Sequence, residues 1–151
     1  MVNRKMDATQ YLPRFADKLI ARKLGYIGAV EIRGPKWCGK TQSAMQQASS
    51  WVMMQDPDKR EDYRLLAETK PTLLLKGPTP RLIDEWQEAP QLWDAVRFEV
   101  DGDGEPGRFL LTGSSTPIAR PSHSGAGRIA SVDMGLMSLA ESKESTSEVS
   151  L

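Results

Sequence analysis

Apolar positions along this chain gather into short runs, each closed off by charged residues, glycine or proline. Compact β-prone runs at 29–33, 51–55, 81–85, 109–114 and 129–134 read as five strands. In the last of them Ile129, Ser131 and Asp133 alternate with Ala130, Val132 and Met134. Between the strands the apolar spacing lengthens to that of helices. Over 11–24, Pro13 stands near the start and Phe15, Leu19 and Ile20 share a face, until Gly25 and Gly28 end the segment. Residues 40–48 are rich in helix formers. Asp56-Pro57 stops the second strand, and 58–69 is a charged helix carrying Tyr63, Leu65, Leu66 and Ala67, closed by Lys70-Pro71. Leu73-Leu74-Leu75 fits a helical turn or a short strand equally well. Residues 89–100 place Leu92, Trp93, Val96 and Val100 at helical spacing, 101–107 read as a turn, and a Ser/Pro/Gly-rich loop runs to Gly127. Strands alternating with helices imply an α/β fold, a parallel sheet with helices on both faces. The divisions expected are a helical lead-in at 1–28, a core at 29–140 and a polar, mobile tail at 141–151.

One junction carries specific chemistry. Gly34-Pro35-Lys36-Trp37-Cys38-Gly39-Lys40-Thr41 fits the phosphate-loop pattern G-x-x-x-x-G-K-[ST] at every position, with a strand before it and a helix after it. Glycines let the backbone curl so that its N–H groups point at phosphate oxygens. Lys40 would reach the β- and γ-phosphates, the Thr41 hydroxyl would hold Mg²⁺, and the helix adds the positive end of its dipole. Residues 34–41 together with Gln42 form the expected nucleotide-binding set.

Leu82-Ile83-Asp84-Glu85 is an apolar strand ending in two acids. Beside a phosphate loop, Asp84 would act on the metal through its water shell, and Glu85 would polarise the water that attacks the γ-phosphate. Thr112, at the tip of the fourth strand, faces the ligand crevice of such a sheet and could meet the γ-phosphate or that water. A turn-forming Thr-Gly pair is an equal reading. Arg128, before the fifth strand, could offset charge developed during phosphoryl transfer, in its own site or in a neighbouring subunit's. Calcium is excluded at 101–112, where Pro106 stands in the place of the loop's glycine and Thr112 in that of its glutamate. His123, the sole histidine, has no acid or thiol at metal-ligand spacing and reads as a solvated loop residue. Trp86 and Trp93 read as packing groups.

Composition adds limits. The chain has 151 residues, enough for a single core, and a formal net charge of zero, so it gives no global signal for nucleic acid or membrane. Residues 1–40 hold nine Lys/Arg against three acids, an excess partly accounted for by a phosphate site. Cys38 is the only cysteine, which precludes an internal disulfide and suggests a reducing, cytoplasmic setting. Within the loop it is either a small packing group or a thiol whose modification would block nucleotide. No apolar run reaches membrane-spanning length.

Tyr11-Leu12-Pro13-Arg14, the phosphate loop, Leu82-Ile83-Asp84-Glu85-Trp86-Gln87, Leu111-Thr112-Gly113-Ser114, Gly127-Arg128-Ile129-Ala130 and Met137-Ser138-Leu139 occur in the order seen in a known group. Together they resemble the prokaryotic AAA-type ATPases that carry an uncharacterised C-terminal domain. The resemblance implies the additional-strand P-loop NTPase sandwich, with a five-stranded parallel sheet of order 5-1-4-3-2, and ATP and Mg²⁺ as ligands. It assigns Lys40 and Thr41 to phosphate and metal, Asp84 to metal, Glu85 to water activation, Thr112 to a sensor role and Arg128 to a possible finger. Such proteins continue well past the fifth strand, and Gly135 stands where they often have proline. The expectation is therefore an ATPase core shortened before its lid and C-terminal domain, as a possible homo-oligomer or with a protein partner. A non-catalytic nucleotide- or partner-binding remnant and a small-molecule P-loop kinase are the alternatives.

Overall fold

In a computed structural model of the chain, residues 11–114 and 127–142 are described. The elements in chain order are α1 (Phe15–Leu24), β1 (Ala29–Gly34), α2 (Lys40–Gln47), β2 (Ser50–Met53), α3 (Arg60–Thr69), β3 (Arg81–Asp84), α4 (Gln91–Asp103), β4 (Phe109–Ser114) and β5 (Ile129–Asp133). Short 3₁₀ turns at Pro71–Leu75 and Trp86–Glu88 complete them. The first resolves the ambiguous leucine run as a helical turn, with Leu74 and Leu75 buried.

All five strands join one sheet of order β2-β3-β4-β1-β5, every pair parallel. Read from the other edge this is 5-1-4-3-2, the P-loop NTPase order. Parallel strands need crossover connections, which is why the helices end up covering both faces. Successive side chains of a strand alternate between faces. Ala29, Ile83, Phe109 and Leu111 accordingly join Leu92, Trp93, Val96 and Val100 of α4 in one core. Val30, Ile32, Leu82 and Leu110 join Ile20 and Leu24 of α1 and Ala44 and Met45 of α2 in the other. β4 lies inside the sheet and is buried on both faces, hence its nearly unbroken apolar run; β1, also interior, is interrupted by Glu31 and Arg33.

Several element ends differ from expectation. α1 starts at Phe15 rather than residue 11, because Arg14 is extended (φ −108°, ψ 150°) and its backbone N–H caps onto Asp17 at 2.9 Å. Its buried stripe is Ile20 and Leu24; Phe15 is 71% exposed and Leu19 lies at the surface, beside a cleft against the end of β5. α4 runs into the expected turn as far as Asp103 and stops where Gly104 adopts the left-handed conformation (φ 66°). β3 ends at Asp84, and Glu85 turns left-handed (φ 57°). Glu141, assigned to the polar tail, is buried. His123 and most of the loop before Gly127 fall outside the described residues.

Candidate functional site

Gly34 closes β1 where a Cβ would lie 2.4 Å from the carbonyl oxygen of Met134, so no side chain fits. Gly39, left-handed at φ 97°, makes the turn into α2. Between them Trp37 takes a positive φ of 68° with its side chain almost wholly in solvent. Cys38 is buried in the core under the loop, which supports the packing reading of its thiol.

Lys40 is buried, and its ammonium donates to the carbonyls of Gly34 and Pro35 at 2.9 Å each. One residue on, the Thr41 hydroxyl donates to Asp84 Oδ1 at 2.6 Å. These residues come from opposite sides of β4, which lies between β1 and β3. Thr112 of β4 spans the gap. It is fully buried, its hydroxyl donates to the same Asp84 oxygen at 2.7 Å, and it accepts the backbone N–H of Glu85 at 3.0 Å. Its hydroxyl thus serves the acids themselves. The Glu85 carboxylate accepts a hydrogen bond from the Gln87 amide.

A cleft of about 400 Å³ lies over these groups, lined by Lys36, Trp37, Gly39, Lys40, Thr41, Gln42, Gln55, Asp84 and Glu85. At its rim Gln55 donates to Glu88 at 3.0 Å. That hydrogen bond, with Arg64 beside it, holds the Glu88 carboxyl below its usual range despite partial burial.

Arg128 is the one sequence-selected residue placed elsewhere. Ile129 pairs with Ala29, at the end of the sheet opposite the loop. Six residues of strand at about 3.3 Å each put Arg128 roughly 20 Å from the loop. Its guanidinium pairs there with Asp101. That placement does not bring it to the cleft of its own chain.

Residues to which the sequence assigns no site role complete the surroundings. Arg14 is buried, donates to the carbonyl of Cys38 in the loop and to that of Gly135 at 2.8 Å, and pairs with Glu141 at 3.0 Å. Burial pushes the Glu141 carboxyl up, but the N–H groups of Ser138 and Phe15 and the Arg14 guanidinium outweigh it and hold the carboxyl down at about 2. Tyr11 joins its phenol to Asp17 and to Ser43 of α2, and burial keeps that phenol protonated far above its ordinary range. The segment before α1 is therefore a brace for the loop. Glu31 lies buried within β1, an acid interrupting an apolar strand, and that interruption was its only signal in the sequence.

A curled loop with a buried lysine, followed by a helix and facing a hydroxyl-held aspartate, stands at the end of a sheet of P-loop NTPase order. The chain belongs to the AAA domain family, whose model matches residues 28–143. It is 34% identical over 125 residues to the uncharacterized proteins Mb2031c of Mycobacterium bovis and Rv2008c of Mycobacterium tuberculosis. The match covers 80% of this chain and 28% of each relative, so the chain spans under a third of the length of these curated relatives. At the level of the family it is a nucleotide-binding, AAA-like ATPase domain. No helix among the described residues is long and apolar enough to cross a membrane.

Proposed function

We propose that this chain binds ATP with Mg²⁺ in the cleft over the loop and hydrolyses it. The observation that carries the reading is the convergence of the Thr41 and Thr112 hydroxyls on one oxygen of Asp84, next to the buried ammonium of Lys40. Hydroxyl and carboxylate oxygens are hard donors that suit Mg²⁺. Among the described residues no cluster of three or more His, Cys, Asp or Glu could hold a metal unaided. Phosphate oxygens and water would have to complete the shell, which is the usual habit of Mg²⁺. When bound, the ion neutralises charge on the triphosphate.

The chain's own groups then have distinct tasks. Lys40 exchanges its loop carbonyls for phosphate oxygens. Thr41 and Asp84 hold the metal, and the N-terminal N–H groups of α2 face the phosphates. Glu85, anchored through its backbone by Thr112, orients water for in-line attack on the γ-phosphate. A second reading, nucleotide binding without turnover, is favoured by the hydrogen bond that engages the Glu85 carboxylate with Gln87.

Titration with ATP and assay of phosphate release separate these readings. Lys40→Ala should abolish ATP binding; unchanged affinity would remove the site from the loop. Glu85→Gln should retain affinity and lose turnover by on the order of a hundredfold or more. Phosphate release equal to that of the parent chain would strip Glu85 of its role, and its absence from the parent would select the binding-only reading.

A further inference from the structure

Glu31 is a buried carboxylate that the reading above leaves unused. It sits mid-strand in β1, 6% exposed, facing the α4 side of the sheet. Trp86 Nε1 donates to its Oε2 at 3.0 Å, and the Ser131 hydroxyl of β5 donates to its Oε1 at 3.1 Å. Arg33 is 3.7 Å away. A carboxylate in such a place is costly, since burial disfavours its charge. Burial does push this carboxyl up, against the pull of Ser131, Arg33 and Trp86.

Trp86 directly follows Glu85. Glu85 has positive φ, a conformation a residue with a long side chain adopts only when its surroundings impose it. Two anchors do so. Upstream, Thr112 accepts the Glu85 N–H. Downstream, the Trp86 indole packs on Trp93, with ring centroids 5.0 Å apart, and passes Gly113 on its way to Glu31. A Cβ at residue 113 would lie 2.9 Å from the indole nitrogen. A bond to a carboxylate is stronger than one to a neutral acceptor, so Glu31 is a firm acceptor for that N–H.

We propose that Glu31 is a positioning residue for Glu85: through the Trp86 indole it fixes the left-handed turn that aims the Glu85 carboxylate over the phosphate loop. The inference rests on the reading of Glu85 as the group that orients water.

Two variants test it without touching the cleft. Trp86→Phe keeps the ring and removes the N–H. Glu31→Gln keeps an acceptor and removes the charge. Each should lower kcat by on the order of ten- to a hundredfold, the effect of a small misplacement of a reacting group, with ATP affinity changed by less than about twofold. The double variant should be no slower than the slower single, because both remove one link. Undiminished turnover, affinity falling in step with turnover, or losses that multiply would overturn the inference. Thermal melts confirm that each variant is folded, and Gly113→Ala, which displaces the same indole by another route, should reproduce the effect. Glu85→Gln separates the two levels: an inactive Glu85→Gln beside fully active Glu31 and Trp86 variants sinks only the positioning role, whereas full activity in all three sinks both.

Discussion

The site turns on residues whose smallness or single hydroxyl is the point. Gly113 lets the Trp86 indole lie across β4, and a methyl group there would fall inside van der Waals contact with both the indole nitrogen and the Gln87 amide oxygen, at 2.9 and 3.0 Å. Gly113→Ala should therefore cost about 1–3 kcal/mol, since the buried ring can shift only by straining its packing. Gly135→Ala, with nothing within 4 Å of the added carbon, should stay within about 0.5 kcal/mol. Urea unfolding of the two variants side by side checks this, and equal costs would contradict the close approach. At this scale the loop was legible. Gly34, Gly39, Lys40 and Thr41 are dictated by local backbone shape and by the ligand's charge, and both leave a fixed spacing. Glu31 was visible only as an odd acid. Its partners Trp86 and Ser131 lie 55 and 100 residues away in sequence, and nothing local joins them.

Among the elements, the strands were read nearly in place because buried parallel strands are short apolar runs bounded by breakers. Their neighbours were harder. The apolar pattern extends α1 four residues too far at its start, since it carries no sign that Tyr11 to Arg14 spend their polar groups on the loop, on α2 and on Glu141. The same pattern ends α4 too early, because Gly102 reads as a breaker yet is carried within the helix. The brace formed by Arg14 and Glu141 has a pH signature. Glu141 has its carboxyl held down at about 2, against an ordinary value of 4.5, so it contributes stability above the ordinary range and loses it as pH falls from about 4.5 towards 2. The stability difference between the parent chain and Glu141→Gln should shrink over that interval. Glu31 acts in the opposite sense: its carboxyl is raised by burial, so its ionisation erodes stability as pH climbs above 4.5. Thermal melts from pH 2 to 7 on Glu141→Gln and Glu31→Gln resolve the two slopes, and parallel curves for both variants would refute the assignment.

At the scale of the whole molecule, two cores flank one sheet, and the cleft draws on both the end of β1 and the end of β3. Ligand bound there would stabilise the fold as a unit: ATP with Mg²⁺ at about a hundred times its Kd should add about 2.7 kcal/mol. The matching rise in Tm should vanish in Lys40→Ala, and a rise that persists there would place binding elsewhere. By itself the sequence determined the strand-and-helix alternation, the phosphate loop and the acidic strand end, because each depends on sterics and hydrogen bonding within a few residues. The order of the sheet came from resemblance rather than from pattern, and the parallel pairings bear it out. Only the tertiary structure decided which end of the sheet each residue occupies. It put Arg128 at the far end beside Asp101, brought Thr112 between Thr41 and Glu85, and carried Arg14 to the loop and Glu31 to Trp86. Those placements depend on strand order and register across residues distant in the chain, which no local spacing encodes.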